Sequence, residues 1–264
     1  MSTFAPPPEL LVADSFRVRV RSGVAEVRGF QRHLERFVRS VGRARAQHRP
    51  AAAGSPDIDT FLAASLREIA DFGEGFPRLE LWREASGDLR YDYTLRPLPP
   101  LGESLVMRSV SLPAPPQARV KGPHIAAYAA LTRQLSAEPL LIHPDGHVRE
   151  GATTSLVFWP KERESSGCVV ADTARVESVS ESILAAAALR RFAGRAQLGD
   201  GQGAFARATV TVAELSRCEV WAVNALHGIR PVSRINDVEL AQPDAERLSW
   251  FREALDAAWE PILR

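Results

Sequence analysis

The sequence predicts a mixed protein, of α+β or α/β class, that is built from two domains. With 264 residues and 45% hydrophobic content, the chain is long enough to bury a large core and to form two small domains. Strand-like and helical periods alternate along the whole chain, which indicates mixed secondary structure. A proline-dense run between residues 112 and 119 has the composition of a connector.

The first half of the chain predicts both kinds of element. Phe16, Val18 and Val20 alternate with arginines, and Ser22-Gly23 supplies a turn, so residues 10–29 indicate a strand hairpin. Apolar residues then recur at helical spacing. The remaining predicted elements of this half are helices at 30–45 and 57–72 and paired strands at 78–82 and 89–95.

The second half follows the proline-dense connector. We therefore predict an N-terminal domain over residues 1–111, an interdomain linker over 112–120 and a larger C-terminal domain over 121–264. The predicted elements of the second domain are a helix at 125–135, strands at 140–142, 156–158 and 220–223, a helix from Ser180, and a closing helix that carries Leu248, Phe251, Leu255 and Ile262.

Charge and cysteine content narrow the classes of function. The net charge of +1 provides no cationic surface of the kind that binds nucleic acid or acidic membranes, so we expect a small-molecule ligand. Cys168 and Cys218 have no nearby partner at metal-ligand spacing, which predicts two thiols in a reducing cytoplasm and no metal site. No apolar run reaches the roughly 20 residues that span a bilayer.

Lysine is almost absent from this sequence. Of 33 basic residues only Lys121 and Lys161 are lysines, and the others are arginines. Arginine keeps its proton in proteins, whereas a partly desolvated lysine can become a neutral amine and form a Schiff base. Lys161 lies in a polar segment that indicates a solvated loop. Lys121 precedes Gly122-Pro123 and an apolar helix, where it is either a surface lysine at a helix start or a nucleophile.

Three segments bear on Lys121 through their order and spacing. After Lys121 come the helix, the Leu140-Leu141-Ile142 strand, an Asp-Gly turn and Glu150-Gly151-Ala152-Thr153. Before it lies His33-Leu34-Glu35-Arg36, and after it Asn224-Ala225 closes a strand. In this combination the chain resembles the fold-type IV pyridoxal-phosphate enzymes over residues 10–240. That family, aminotransferase class IV, includes branched-chain and D-amino-acid aminotransferases and aminodeoxychorismate lyase.

The resemblance implies a fold, a cofactor and a set of site residues. The fold is the two-domain one of D-amino-acid aminotransferase, with pyridoxal 5'-phosphate bound at the domain interface of a cytoplasmic homodimer. Lys121 matches the lysine that forms the Schiff base and moves the substrate proton. Glu150 matches the carboxylate that keeps the pyridine nitrogen protonated.

The same resemblance assigns the residues that bind the phosphate of the cofactor. Arg36 matches the phosphate-binding arginine, and a guanidinium suits a bidentate contact. The phosphate-contacting pairs are Val179-Ser180 and Asn224-Ala225. Ser178 to Glu181 also forms a capping-box pattern, so this segment is either an ordinary helix cap or part of an anion site.

Departures from the family pattern fall on the substrate side. The chain has Ala13-Asp14-Ser15-Phe16-Arg17-Val18 where the family has Gly-Asp-Gly-x-Phe-Glu-Thr, and Ser155 stands where Asn is usual. For the substrate we expect an apolar wall that includes Phe16 and Val18, and a carboxylate clamp at Arg78 or Arg83.

The implied reactions share their first half. Lys121 removes a proton from an amino substrate, after which a lyase releases pyruvate and forms 4-aminobenzoate, and a transaminase releases a keto acid. The short chain favours the lyase. A class IV amino-acid aminotransferase is the alternative, and a catalytically silent homologue that binds the cofactor or another phosphate ligand is the third possibility.

Overall fold

The structure is a computed structural model that describes residues 6–48, 57–161, 167–192 and 205–263. Its helices are α1 Phe30–Gln47, α2 Ile58–Phe72, α3 Ile125–Leu135, α4 Val179–Phe192, α5 Val212–Leu215 and α6 Ala245–Asp256. Its strands are β1 Glu9–Ser15, β2 Val18–Arg21, β3 Val24–Arg28, β4 Arg78–Arg83, β5 Leu89–Thr94, β6 Leu105–Ser111, β7 Glu138–Ile142, β8 Val148–Gly151, β9 Ser155–Trp159, β10 Cys168–Val170, β11 Ala206–Ala208, β12 Glu219–Asn224, β13 Gly228–Ile235, β14 Val238–Glu239 and β15 Trp259–Pro261.

The helices begin and end for local reasons that the sequence displays. The buried residues of α1 recur every three or four positions, so one face of the helix packs on the core. The Asp57 side chain accepts a hydrogen bond from the Thr60 backbone and caps the start of α2. Gly73, at a φ of 79°, ends the same helix. No helix in the described ranges is both long and apolar enough to cross a membrane.

The first compact unit contains residues 1–100, 120–125 and 259–264. It has two antiparallel sheets of three strands, in the orders β1-β4-β5 and β15-β3-β2. One apolar core is shared by these strands and by α1 and α2, with Phe16, Phe37, Ile69 and Leu81 among its most buried members.

The second compact unit contains residues 101–119 and 126–258. It is built on a nine-stranded sheet in the order β11-β10-β9-β12-β13-β6-β7-β8, with β14 paired to β13. Two apolar clusters pack in this unit, one around Met107, Phe158 and Val220, and one around Trp221 and Phe251. Glu150 lies on β8 of this sheet.

The units differ from the predicted domains at residues 101–119, 120–125 and 259–264. Strand β6 belongs to the second unit because it pairs in parallel with β7 and β13, although it precedes the predicted linker. Lys121 belongs to the first unit, where its carbonyl oxygen accepts a hydrogen bond of 2.7 Å from the Ala13 backbone N–H. Residues 112–119 of the predicted linker are part of the second unit.

One prediction about an element was wrong. The closing helix ends at Asp256, and Ile262 lies in the core of the first unit after a short strand. Pro261 lacks the N–H that a continuing helix needs, and β15 instead pairs with β3. The hairpin predicted around Ser22-Gly23 is confirmed, because β2 and β3 pair in an antiparallel arrangement on either side of this turn. The residues before it form a separate strand, β1, which belongs to the other sheet of this unit.

Candidate active site

A buried ionic cluster lies between β1 and α1. The Asp14 carboxylate accepts hydrogen bonds from His33 Nδ1 at 2.7 Å and from Arg36 Nε and Nη2 at 2.7 and 2.8 Å. His33 and Arg36 are three positions apart on α1, so both reach the same strand residue. All three side chains are buried. The guanidinium of Arg36 is thereby held in one orientation.

The protonation of this cluster follows from its contacts. Burial alone would raise the pKa of Asp14, but the charges and hydrogen bonds of Arg36 and His33 hold that pKa far below its usual value. Burial lowers the pKa of His33, and the opposing attraction of Asp14 does not restore it. We therefore assign an ionised Asp14, a cationic Arg36 and a neutral His33 that donates from Nδ1.

Lys121 lies in a bend next to β1. Besides the hydrogen bond from Ala13 to its carbonyl, the neighbouring Gly122 makes a close approach to the same strand. A Cβ on Gly122 would lie 2.6 Å from the Ala13 backbone nitrogen and 2.8 Å from the Val12 carbonyl carbon, and its φ of 139° also favours glycine. The glycine thus allows the lysine segment to pack directly on the strand.

The amine of Lys121 is easier to deprotonate than that of an ordinary lysine. Loss of hydration and the nearby Arg36 guanidinium lower its pKa to about 8, Asp14 opposes this shift, and Arg96 adds to it. Near pH 8 about half of the molecules then carry a neutral amine, which is the form that acts as a nucleophile or base. Lys161 is exposed, and the residues that follow it, from 162 to 166, lie outside the described ranges.

Glu150 is a buried carboxylate on β8 of the second unit. One of its oxygens accepts a hydrogen bond of 3.3 Å from the Val176 backbone N–H. Burial raises the pKa of Glu150 to about 8, although Arg149, this hydrogen bond and Arg175 act in the opposite direction. Only 7% of the residue is exposed. Such a carboxylate is stabilised as an anion when it gains a cationic N–H partner.

The segment before α4 is held by a bidentate ion pair. Arg175 donates from both terminal nitrogens to Glu181, at 2.6 and 2.7 Å. Ser178 Oγ accepts from the Glu181 backbone, as the capping pattern predicted, but the Glu181 side chain pairs with Arg175. Val179 and Ser180 form the first turn of α4, and both are buried.

Asn224 and Ala225 lie at the turn between β12 and β13. The Asn224 side chain accepts from the His227 backbone at 2.9 Å and donates to the Thr153 carbonyl at 3.4 Å. Gly228 takes a φ of 74° at the end of this turn. Both Asn224 and Ala225 are partly exposed, so their polar atoms lie near the surface of the second unit.

The expected substrate residues are placed differently from the prediction. Phe16 and Val18 are fully buried in the core of the first unit, so they form no open apolar wall. Arg78 pairs with Glu80, and Arg83 pairs with Glu9 and His48. The alternation in β2 predicted an apolar face, but only tertiary packing decides whether such a face meets a ligand or the core.

A residue that the sequence did not single out lies near Lys121. Arg96 follows β5, is partly buried, and donates from Nε to the Phe76 carbonyl at 2.9 Å and from Nη2 to Ser15 Oγ at 3.1 Å. Its charge contributes to the lowered pKa of Lys121. The only local signal is an arginine after a strand, directly before a proline-rich stretch.

The site residues therefore form two groups, one in each unit. Lys121 and Arg36 share the first unit with Asp14, His33 and Arg96, and the second unit contains the others: Glu150, Val179, Ser180, Asn224 and Ala225. Among the described residues, no group of three or more His, Cys, Asp or Glu side chains is arranged to hold a metal ion.

Comparison with known proteins defines the class of protein. The family model of the class IV amino-transferases matches residues 12–235. This match covers most of the chain, which belongs to that family and is a pyridoxal-phosphate-dependent enzyme. No curated protein sequence matches the chain.

Solved structures share the fold at low sequence identity. A hypothetical aminotransferase from Mycobacterium tuberculosis has a TM-score of 0.69 at 19% identity, over 98% of this chain and 93% of the other. A branched-chain aminotransferase from T.th., complexed with N-(5'-phosphopyridoxyl)-L-glutamate, has 0.71 at 17%, over 95% and 89%. A candidate 4-amino-4-deoxychorismate lyase from Legionella pneumophila has 0.69 at 13%, over 94% and 90%.

Proposed function

We propose that this enzyme uses Lys121 to attach pyridoxal 5'-phosphate and to move a proton of an amino substrate, in a reaction like that of 4-amino-4-deoxychorismate lyase. The observation that supports this proposal is the partly buried lysine whose pKa is lowered to about 8. A lysine of this kind supplies both the neutral amine that an aldehyde requires and a base near neutral pH.

The residues present fit this cofactor in chemical terms. Glu150 is a buried carboxylate with a raised pKa, which gains stability as an anion beside a protonated pyridine nitrogen. Arg36 supplies a fixed cation for the phosphate. Nε and Nη2 of Arg36 already donate to the Asp14 carboxylate, so the bidentate contact that we expected with phosphate is made with Asp14 instead.

The remaining phosphate contacts come from the second unit. Val179 and Ser180 lie in the first turn of α4, where backbone N–H groups favour an anion. Asn224 and Ala225 supply a turn with exposed polar atoms. With Arg36, these four residues are the phosphate ligands in our proposal.

Chemistry at the substrate then depends on Lys121. When bound, the cofactor supplies an electron sink for the negative charge that remains when a substrate proton leaves. Lys121, as the neutral amine, accepts the proton from the carbon that bears the amino group. The bond from the ring to the enolpyruvyl oxygen breaks, and the oxygen keeps the electron pair. Lys121 returns the proton to the departing group, which becomes pyruvate, and 4-aminobenzoate remains.

A homodimer in the cytoplasm is part of the same proposal. Helix α3 is rich in Ala, Ile and Leu, yet it has no buried residue in the single chain. An apolar helix in this state is typical of a surface covered by a second copy. Light scattering is expected to give a mass of twice 28.9 kDa, and the mass of a monomer would contradict the proposed dimer.

The two cysteines, which are buried and form no disulfide, suit a reducing compartment.

An activity comparison tests the proposed reaction. The protein loaded with pyridoxal phosphate is incubated with aminodeoxychorismate, and then with pairs of amino and keto acids. We expect equal amounts of 4-aminobenzoate and pyruvate and no amino transfer. Lys121→Ala should abolish the activity, and Lys161→Ala should leave it unchanged. Amino transfer alone would select the aminotransferase, and cofactor binding without turnover of either kind would select a silent homologue.

A further inference from the structure

Arg149 is a buried cation with few partners. It lies on β8 directly before Glu150, and its exposed fraction is 0%. In the described part of the chain it makes one hydrogen bond, from Nη2 to the Tyr128 hydroxyl of α3 at 3.3 Å. Its Nε and Nη1 groups are buried and have no hydrogen-bond partner among the described residues. A buried guanidinium in this state depends on the charges around it for its stabilisation.

A β-bulge accounts for the position of Arg149 beside Glu150. Residues 141–142 of β7 face Glu150 and Val148, so Arg149 is the extra residue of β8. In a regular strand, neighbouring side chains point to opposite faces of the sheet, whereas a bulge interrupts this alternation and re-aims a side chain. Burial raises the pKa of Tyr128, the charge of Arg149 opposes this effect and that of Glu150 adds to it. The three side chains therefore lie close together in the second unit.

Charged and titratable groups reach Glu150 from three elements. The groups are Arg149 on β8, Tyr128 on α3 and, in the segment before α4, Arg175 and an Asp172 that is paired with His143. Burial raises the pKa of Glu150, and the charge of Arg149 is the largest of the effects that lower it. Arg175 is already paired with Glu181, whereas Arg149 has no carboxylate partner in the described ranges. Among these groups, Arg149 therefore has the most influence on how readily Glu150 releases its proton.

We propose that Arg149 is a positioning residue that acts through Glu150, and that its buried charge places the proton shared by Glu150 and the pyridine of the cofactor on the ring nitrogen. This inference rests on the proposed function, in which Glu150 is the partner of that nitrogen. A proton shared by two bases resides on the stronger one, and a cation beside a carboxylate makes that carboxylate the weaker base. The protonated ring is the better electron sink. Because arginine keeps its proton in proteins, the effect persists over the whole working range of pH.

The titration of Glu150 without cofactor tests the coupling directly. It is followed by ¹³C NMR in protein that contains glutamate labelled at the carboxyl carbon, with Glu150→Gln to assign the signal. Arg149→Met removes the charge but keeps a long side chain, so the proton affinity of Glu150 should rise by about 10-fold or more. Arg149→Lys keeps the charge and should restore most of the wild-type behaviour. Arg108→Met is the matched control, because Arg108 is an exposed arginine on β6 of the same sheet.

The ring nitrogen is then observed in the loaded protein. With ¹⁵N-labelled pyridoxal phosphate, the ¹⁵N chemical shift distinguishes a protonated pyridine from a neutral one. We expect a protonated nitrogen in the wild type, in Arg149→Lys and in Arg108→Met at the same pH. In Arg149→Met the signal should move toward that of the neutral form.

A further variant keeps the test decisive if Arg149→Met does not fold. Tyr128→Phe removes the hydrogen bond that holds the guanidinium, and it should change both signals in the same direction to a smaller extent. A Glu150 titration that is the same with and without the Arg149 charge would overturn the inference, as would a ring nitrogen that stays protonated in Arg149→Met. A wild type that takes up no cofactor, while its Glu150 titration still responds to Arg149, would overturn the proposed function and leave the coupling intact.

Discussion

Replacing Asp14 by asparagine tests the buried ionic cluster most severely. The substitution keeps the size of the side chain but removes its charge and places an NH2 group among three donors, one from His33 and two from Arg36. The Arg36 cation then remains buried without its carboxylate. Removing one partner of a buried ion pair costs about 3–5 kcal/mol, which for a chain of this size lowers Tm by roughly 10 °C.

The pH range of this effect follows from the direction of the pKa shift. The pKa of Asp14 is lower in the folded protein than in the unfolded chain. Its contribution to stability is therefore complete above the unfolded value of about 3.9 and is lost as the pH falls through the folded value. The free energy of unfolding is to be measured by urea titration at pH 7, where the full loss is expected.

An exposed acidic residue in the same sheet as Asp14 provides the control. Asp92 pairs with Arg90 at the surface, and Asp92→Asn should change the free energy of unfolding by less than about 1 kcal/mol. If Asp14→Asn lowers the free energy of unfolding no more than Asp92→Asn does, the buried ionic cluster does not stabilise the first unit. The orientation of Arg36 must then have another cause.

Two further predictions concern the lysine segment and the second unit. Gly122→Ala should lower the free energy of unfolding by about 1–3 kcal/mol, because the new Cβ meets the β1 backbone. Gly42→Ala in α1 is the control, since its Cβ has open space and the change should raise Tm slightly. Equal melting curves for the two variants would contradict the close approach of Gly122 to β1. Glu150 has a raised pKa, so without cofactor the wild type should lose stability as the pH rises from about 4.5 through about 8. Glu150→Gln should therefore be stabilising at pH 8 relative to wild type and not at pH 4.5, and an equal difference at both pH values in urea titrations would refute this.

Local patterns were sufficient to predict most of the helices. The apolar spacing that predicted a helix from Phe30 is the buried face of α1, and Asp57 and Gly73 bound α2 as their chemistry requires. Such signals act over a few residues, so they can be read without knowledge of the fold. The order of Arg36, Lys121 and Glu150 along the chain was likewise visible.

Features that depend on distant residues could not be read in this way. Asp14 was noted only as part of a departure from the family pattern, yet it contacts a residue 22 positions later. The apolar alternation at Phe16 and Val18 was correct, but both side chains are buried in the core of the first unit, where the Phe16 ring meets that of Phe30 in α1, so this face is not open to a substrate. The short β15 exists only because the far end of the chain meets β3.

Chemical trapping of the cofactor identifies the lysine that carries it. With only two lysines in the chain, reduction of the protein with borohydride in the presence of pyridoxal phosphate, followed by peptide mass spectrometry, assigns the attachment site without ambiguity. We expect one label per chain, on Lys121, at a rate that rises around pH 8 as the amine becomes neutral. Labelling of Lys161 instead, or of both lysines to the same extent, would contradict it.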